Sequence, residues 1–401
     1  MIIKSANPSR RVTQLHGGMK SYNRRKVLLV GSLPPPQHGS NLYFQSLLLS
    51  DLRERFSISH LDLSDHRSLD NIGRLDFLNV YFAVRNVVNL AVLSRKLKPD
   101  LVYVPIAQKN LAYLRDGLLI LASKAFSHCK LVIHLHGSDF RRFYENTNMM
   151  MRWFIRETLK RVDTAIVLSD RLRSIFEGLV ENVSTVPNGI DFLIERSRPL
   201  KKKRGDVVVG YMGNLFRRKG VFDLLSAVPR VLEADSNVEF RFAGAWWGQE
   251  TDLRRDVDKF ITQHELQDRV KFVGSVDGES KIRFLTEVDI FVFPSWNEGS
   301  PLVILEAMAT GCPVISTDDV GGIPDLVDDG VTGVLVEKEN PRQIADAIMR
   351  LIRRPALRRK MGEMGRRKYL RSYTLSSHIQ RMAEVFDKTM LLQIDRRQRP
   401  L

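Results

Sequence analysis

The chain has 401 residues, of which 43% are hydrophobic and 27% charged, with two cysteines and a formal net charge of +16. This length exceeds the size at which one hydrophobic core usually divides, so two domains are expected, and the composition excludes global disorder. Cys129 and Cys312 are too few for a disulfide framework and lack metal-ligand spacing, which favours a reducing, cytoplasmic compartment.

The positive charge predicts a field that attracts phosphate-rich partners. The basic clusters at 201–204, 353–371 and 396–399 lack the interleaved aromatic residues of single-strand binders, so nucleic acid is not expected as a partner. Solvated linkers and helix faces are the alternative explanation of these clusters. The apolar stretches 77–93 and 111–126 are interrupted by polar and charged residues, so neither is expected to span a bilayer.

Short apolar runs of strand length alternate with longer segments of helical pattern, which predicts βα units and parallel sheets. The first half contains KVLLVG at 26–31, LVYV at 101–104, KLVIHL at 130–135 and TAIVL at 164–168. After the charged stretch 195–205 come VVVGYM at 207–212, EFRFAG at 239–244, VKFVG at 270–274, DIFVFP at 289–294, PVIST at 313–317 and GVLV at 333–336. The predicted organisation is a polar tail without a secretion signal at 1–25, domains at 26–198 and 206–372, and a C-terminal helix with a basic tail at 373–401.

Two loops in the first half follow predicted strands. The proline run of LPPPQHGSN at 33–41 predicts a loop containing His38 and Gly39, with an ordinary βα turn as the alternative. In IHLHGSDF at 133–140, period-2 alternation places His134 and His136 on one face, and Gly137 would permit close approach of a ligand. A buried structural histidine is the alternative for His136.

The segment 149–161 has the pattern of a basic amphipathic helix. Arg152, Arg156 and Lys160 recur every four residues beside apolar positions. A surface helix packed on the core is one interpretation. The other is attachment to the anionic inner face of the plasma membrane, where a lipid-linked acceptor would be presented.

The loop after the run 207–212 carries Asn214 and three consecutive cations, Arg217, Arg218 and Lys219. Cations at the carboxyl edge of a sheet suit a diphosphate, which they would neutralise as it leaves. A solvated loop is the alternative. No Asp-x-Asp follows a predicted strand, so a metal is not expected, and the absence of a GxGxxG fingerprint disfavours a nicotinamide enzyme.

The densest segment is PSWNEGSPLVILEAMATGCPVIST at 294–317. The pattern predicts a strand ending at Pro294 and a helix starting near Gly299 or Ser300, so the backbone N–H groups of Ser300 through Val303 could hold a diphosphate. Glu298 and Glu306 lie eight residues apart, which allows both carboxylates to point toward a ligand at the helix start. Solvent contacts are the alternative for such a pair.

This segment resembles the E-x7-E signature of family 4 glycosyltransferases, and the resemblance extends over residues 26 to 390. It implies an α/β GT-B fold, with two Rossmann-like domains whose parallel sheets face across a cleft and a C-terminal helix that crosses back to the first domain. It implies that Glu298 contacts donor-sugar hydroxyls, Glu306 the nucleotide ribose and His136 the donor sugar. Further implied donor-binding residues are Gly39, Asn214, Arg218, Lys219, Gly299, Ser300, Pro301, Leu302 and Val303.

The resemblance also implies transfer with retention at the anomeric carbon, from a UDP- or GDP-linked donor to a glycan or lipid-linked acceptor, without cofactor or metal. The catalytic candidates are Lys219, Arg218, His136 and Glu298. The acceptor-side candidates are His38, Ser138, Asp139 and Arg141. The competing hypotheses are a catalytically silent GT-B binding protein and a GT-B epimerase.

Overall fold

The computed structural model describes residues 24–34, 39–64, 77–192, 206–246 and 251–392. Contacts divide the chain into two compact units. Unit 1 contains the chain up to Leu168, Leu172–Val186 and the residues from Ile379 onward, whereas unit 2 contains Ser169–Arg171 and Pro187–His378. Each unit is built around its own parallel sheet.

Unit 1 contains a six-stranded sheet in the order β2-β1-β3-β4-β5-β6, in which all neighbouring strands are parallel. Its strands are β1 (Lys26–Gly31), β2 (Ser57–Asp62), β3 (Leu101–Ile106), β4 (Lys130–Leu135), β5 (Thr164–Val167) and β6 (Val183–Thr185). Every residue of β4 and β5 is buried. This continuous burial is typical of parallel strands that helices cover on both faces.

The helices of unit 1 connect successive strands. They are α1 (Gly39–Leu49), α2 (Leu52–Arg55), α3 (Phe77–Leu97), α4 (Asn110–Phe126), α5 (Phe140–Asn146) and α6 (Met149–Leu159), and a 3-10 helix covers Asp170–Phe176. Among the described residues, no helix is both long and apolar enough to cross a bilayer.

Unit 2 contains a second six-stranded parallel sheet, in the order β12-β11-β10-β7-β8-β9. Its strands are β7 (Val207–Met212), β8 (Val238–Ala243), β9 (Val270–Gly274), β10 (Ile290–Phe293), β11 (Val314–Thr317) and β12 (Gly333–Val336). The helices are α7 (Val221–Ala234), α8 (Thr251–Gln263), α9 (Gly278–Glu287), α10 (Leu302–Thr310), α11 (Ile323–Leu326), α12 (Pro341–Arg353) and α13 (Pro355–Ser372).

The last helix, α14 (Leu375–Leu391), begins in unit 2 and passes into unit 1 at Ile379. Phe386 is fully buried there, with its ring 6.0 Å from that of Phe56 and 5.8 Å from that of Tyr103. The hydroxyl of Thr389 donates to that of Thr164 at 2.8 Å. The expected return of the C-terminal helix to the first sheet is confirmed.

The predicted α/β class and both parallel sheets are confirmed, with three local differences. The strands β2 and β6 have no counterpart among the predicted runs. The loop expected over 33–41 ends earlier, because α1 already begins at Gly39. The helix expected from Gly299 or Ser300 begins at Leu302, because Pro301 has an extended ψ of 120° and forms the N-cap.

Candidate functional site

The order of strands in unit 2 predicts a binding site at the carboxyl ends of two neighbouring strands, β7 and β10. From β7 the chain proceeds to β8 and β9 on one side, and then returns to place β10 on the other side of β7. In open α/β sheets, ligands bind outside the carboxyl ends of the strands where the order reverses. The loops that follow β7 and β10 therefore flank the expected ligand position.

The loop after β7 closes as a single 3-10 turn over Arg217–Lys219. Gly220 ends the turn with a φ of +71°, and a Cβ atom at this position would collide with the carbonyl of Pro294. The backbone N–H of Trp296 donates to the carbonyl of Arg218 at 2.9 Å. Only glycine permits this approach, so the two loops lie directly against each other.

Lys219 and Glu298 form an ion pair between the two loops, through Nζ and Oε1. The side chains are 24% and 11% exposed, respectively. The hydroxyl of Ser295 donates to the same Oε1 at 2.9 Å. Arg218, the residue before Lys219, is exposed. The structure thus brings together the cation and the carboxylate that the sequence singled out separately.

Around this pair, the indole N–H of Trp296 donates to the carboxylate of Asp223 on α7 at 2.6 Å. Burial raises the pKa of Asp223, although this hydrogen bond lowers it. The phenol of Tyr211 donates to the backbone carbonyl of Asn214 at 3.2 Å, while the Asn214 residue itself is exposed. Burial raises the pKa of Tyr211, and the negative charge of Glu298 raises it further.

The start of α10 lies beside the pair. The first N–H groups of a helix have no intrahelical partner, and Leu302 and Val303 occupy those positions. Pro301 has no N–H, so the expectation that every residue from 300 to 303 donates is wrong for this position. The hydroxyl of Ser300 is buried and has no hydrogen-bond partner in the part of the chain that the structure describes.

Two distant segments hold this helix start in place. The side-chain amide of Asn188 donates to the carbonyl of Ser300 at 2.9 Å. Gly321, with a φ of +50°, lies against the carbonyl of Glu298, where a Cβ atom would collide. The N–H of Gly322 donates to the carbonyl of Gly299 at 2.8 Å. The segments 186–191 and 319–325, which contain these residues, therefore position the loop before α10.

Glu306 lies on α10, about one turn after the helix begins at Leu302, and is 9% exposed. Its Oε1 accepts from the ammonium group of Lys281 on α9 at 2.6 Å. Burial raises the pKa of Glu306, and the charge and hydrogen bond of Lys281 oppose this shift. Sequence reasoning missed Lys281, because no motif marks α9 and its partner lies 25 residues away.

In unit 1, His134 and His136 lie on one face at the carboxyl end of β4, as predicted. Their ring centroids are 4.0 Å apart. His134 is fully buried, and its Nδ1 lies 2.8 Å from the hydroxyl of Tyr103. The ring of Tyr43, on the second turn of α1, packs edge-on against His136 at 4.6 Å. His136 itself is half-buried just beyond the strand.

The loop after β4 contacts the loop after β3 through Gln108, which the sequence did not indicate. The N–H of Asp139 donates to Oε1 of Gln108 at 3.0 Å. A Cβ atom at Gly137 would collide with the same side chain. Gly137 therefore leaves room for the side chain of Gln108.

The remaining candidates of unit 1 divide into three groups. Ser138 and Asp139 are half-buried in the loop beside His136, and Asp139 forms the N-cap of α5. Arg141 bonds to Glu145 at 2.7 Å and to the carbonyl of Glu177 at 3.0 Å. Gly39 begins α1, one turn before Tyr43, whereas His38 lies outside the described residues.

A metal centre has no ligand set in the described ranges, because no three His, Cys, Asp or Glu side chains there are grouped to hold an ion. The ammonium of Lys219 lies at Glu298, four residues before the start of α10.

Known sequence families match both halves of the chain. Residues 194–368 match the profile "Glycosyl transferases group 1", and residues 20–192 match "Glycosyltransferase Family 4". An uncharacterized glycosyltransferase of Methanocaldococcus jannaschii is 27% identical over 237 residues, which are 59% of this chain and 62% of that protein. The capsular polysaccharide biosynthesis glycosyltransferase CapM of Staphylococcus aureus is 32% identical over 165 residues, 40% of each chain.

The alignments to these two relatives thus span less than two thirds of the relatives' own length. Among solved structures, HepE of Anabaena in complex with UDP and glucose aligns with a TM-score of 0.69 at 18% identity, covering 91% of this chain and 100% of HepE. That similarity supports the fold alone. The two family matches adjoin each other, and the Glu298–Glu306 signature lies at the carboxyl edge of the second sheet. The chain therefore belongs to the family 4 (group 1) glycosyltransferases and has their GT-B fold.

Proposed function

We propose that this chain is a retaining, metal-independent glycosyltransferase. It transfers a sugar from a UDP- or GDP-linked donor to a glycan or lipid-linked acceptor in polysaccharide biosynthesis, in the cytoplasm and without a cofactor. The names of CapM and of the HepE complex support the acceptor class and the UDP-linked donor, respectively.

The observation that carries the proposal is the Lys219–Glu298 ion pair beside the start of α10. A diphosphate placed there would accept from the N–H groups of Leu302 and Val303 and from the hydroxyl of Ser300. Lys219 and Arg218 would neutralise the charge that develops as the nucleoside diphosphate leaves. This arrangement performs electrostatically the task that a metal ion performs in other phosphate chemistry.

Glu298 then has two roles in the proposal. Its carboxylate holds the Lys219 ammonium beside the helix start, and its oxygens accept from hydroxyls of the donor sugar. Glu306, whose carboxylate Lys281 also contacts, accepts from the ribose. We assign the two glutamates to binding rather than to proton transfer, because each is already paired with a lysine.

In unit 1, we propose that His136 contacts the donor sugar. Its ring is oriented by His134 and Tyr43, which pack against it. Ser138 and Asp139 remain the proposed acceptor-side residues. Arg141 is proposed only as a support of their loop, since its guanidinium already bonds to Glu145 and to the Glu177 carbonyl.

The test begins with a panel of UDP- and GDP-linked sugars in a thermal-shift assay, since a ligand that binds the folded state stabilises it. The donor that stabilises the protein is then supplied with radiolabelled sugar, with and without candidate glycan or lipid-linked acceptors. The expected result is label in an acceptor product whose anomeric configuration, determined by NMR, matches that of the donor. Turnover should persist in EDTA.

Other outcomes identify the competing functions. Donor binding without any transfer or donor conversion would favour a catalytically silent binding protein. Conversion of the donor to an isomer in the absence of acceptor would favour an epimerase. An inverted product or loss of turnover in EDTA would overturn the retaining or the metal-independent part of the proposal.

A further inference from the structure

The outward faces of α3, α4 and α6 carry an unusual concentration of exposed apolar side chains. Of the 16 large hydrophobic side chains that are exposed among the described residues, ten lie on these three helices. They are Tyr81, Val84, Val88 and Val92 on α3, Leu111, Leu114 and Leu118 on α4, and Met149, Met150 and Trp153 on α6. We refer to these ten residues as the three-helix surface.

Their spacing places them on continuous stripes. Successive members are separated by three or four residues on α3 and α4, and Trp153 lies three and four residues after the two methionines. Such positions share one face of a helix. Trp153 is 65% exposed and Met149 84% exposed, although both would be buried in an ordinary core.

The topology places the three stripes side by side. The helices α3, α4 and α6 connect β2 to β3, β3 to β4 and β4 to β5, so each crossover advances in the same direction along the sheet. Right-handed crossovers in one direction put their helices on one face of the sheet. The helix α4 packs against both α3 and α6. Scattered exposed apolar residues are common, but adjacent stripes indicate an interaction surface.

The charges around these stripes favour one class of partner. The helix α3 has three cationic residues and no acidic one, whereas α4 and α6 have two cationic residues and one acidic residue each. On α4, Arg115 pairs with Asp116 and Lys124 with Asp163, and Glu157 of α6 pairs with Lys160. The surplus positive charge therefore lies mainly on α3. Two copies of this chain would bring like charges together, so a second copy is disfavoured.

We infer that unit 1 lies on the surface of an anionic lipid bilayer through the three-helix surface, with the apolar stripes inserted among the lipids and the cations at the headgroups. Trp and Tyr side chains are typical of this interfacial depth. The inference rests on the proposed function, because a chain bound to the bilayer would meet a lipid-linked acceptor there. Bilayer binding itself is measured without any transfer of sugar.

The inference assigns the main contact of α6 to its apolar residues. The sequence pointed to Arg152, Arg156 and Lys160. In the structure, the guanidinium of Arg152 donates to the carbonyls of Glu145 and Thr147, and Lys160 pairs with Glu157. The apolar side chains at the start of the helix therefore supply the main contact.

The test is flotation of the full chain with vesicles of phosphatidylcholine alone and of equal parts phosphatidylcholine and phosphatidylglycerol. The variant Met149→Ser/Met150→Ser/Trp153→Ser should lower partition onto the anionic vesicles at least about tenfold, because the inserted apolar area is lost while the charge is kept. A second variant, Val84→Ser/Val88→Ser/Leu114→Ser, should weaken binding in the same direction.

The matched control is Ile282→Ser/Val331→Ser/Leu370→Ser, which replaces exposed apolar residues of unit 2 and should float as the parent does. Circular dichroism and the donor thermal shift verify that each variant is folded. Unchanged flotation of both apolar variants, or equal binding to neutral vesicles, would overturn the inference. A dimer in size-exclusion chromatography that the same variants disperse would replace it with self-association. Failure to bind donor, with flotation intact, would count against the proposed function only.

Discussion

At the scale of single residues, the central feature is a partly buried ion pair at the position proposed for the diphosphate. Lys219 is 24% exposed and Glu298 11% exposed. Removing one partner of such a pair leaves the other charge without compensation, whereas a diphosphate could replace the carboxylate as the contact of the ammonium. The pair therefore holds the lysine at Glu298, four residues before the start of α10.

Lys219→Ala should lower turnover at least about tenfold, since a lost charged hydrogen bond is worth roughly 1.5–3 kcal/mol. The measurement is the initial rate with the stabilising donor at saturation. Arg217→Ala is the control, because Arg217 lies in the same turn but its guanidinium bonds to Asp256 on α8 at 2.8 Å. A folded Lys219→Ala protein with the rate of the control would refute the assigned role.

Glu306 makes stability depend on pH in a defined direction. Because burial raises its pKa above the ordinary value of 4.5, the folded chain keeps this proton at pH values where the unfolded chain has lost it. The contribution of Glu306 to the free energy of unfolding therefore falls as the pH rises above 4.5.

Glu306→Gln should make the free energy of unfolding depend less on pH, as measured by urea unfolding in buffers from about pH 4 to pH 8. Lys281→Met should make the same pH dependence steeper, because the substitution removes the ammonium that lowers the pKa of Glu306. If both variants follow the parent profile, the carboxylate is not desolvated as the structure indicates.

At the scale of elements, the site consists of loops that glycines allow to lie backbone against backbone. Gly220 lies against Pro294, and Gly321 lies against Glu298. A side chain at either position would push apart two segments whose relative placement sets the Lys219–Glu298 pair and the start of α10.

Gly321→Ala should reduce donor affinity, because the added methyl group displaces the Glu298 carbonyl. Gly330→Ala is a matched control: its φ of +72° imposes a similar backbone cost, on the order of 1–2 kcal/mol, but a Cβ atom there meets nothing within 4 Å. Calorimetric titration with donor separates the two. Equal affinities in both variants would show that the contact does not position the loop.

Much of the architecture was predictable, because parallel strands buried on both faces appear as continuous apolar runs such as KLVIHL. The strand β2 was missed because His60 and Asp62 interrupt its apolar pattern, and β6 because it has only three residues. In the site, Glu298 and Lys219 were recognised within their motifs. Lys281 and Gln108 act through partners far away in sequence, so no local pattern could reveal them.

At the scale of the whole molecule, unit 1 is discontinuous in sequence. Phe386 of α14 is buried against Phe56 and Tyr103. At the next residue of α14, the carboxylate of Asp387 forms an ion pair with Arg55. The first sheet therefore depends for part of its core on residues that follow all of unit 2.

Phe386→Ala should destabilise unit 1 by about 3–5 kcal/mol, the usual cost of emptying a buried aromatic site. Hydrogen exchange resolved by peptide should show the loss in the strands β1 and β3. Leu391→Ala, at a position 71% exposed on the same helix, is the control and should change little. Comparable protection in both variants would mean that α14 is not part of the unit 1 core.

The discontinuity also sets the order in which the chain can fold during synthesis. Domains usually fold as they leave the ribosome, the N-terminal one first. Here Ile379–Leu391 leave the ribosome only after every residue of unit 2 up to His378 has been made. Nascent unit 1 therefore has an incomplete core while unit 2 is synthesised. During that interval we expect unit 1 to be the part of the chain that depends most on a chaperone.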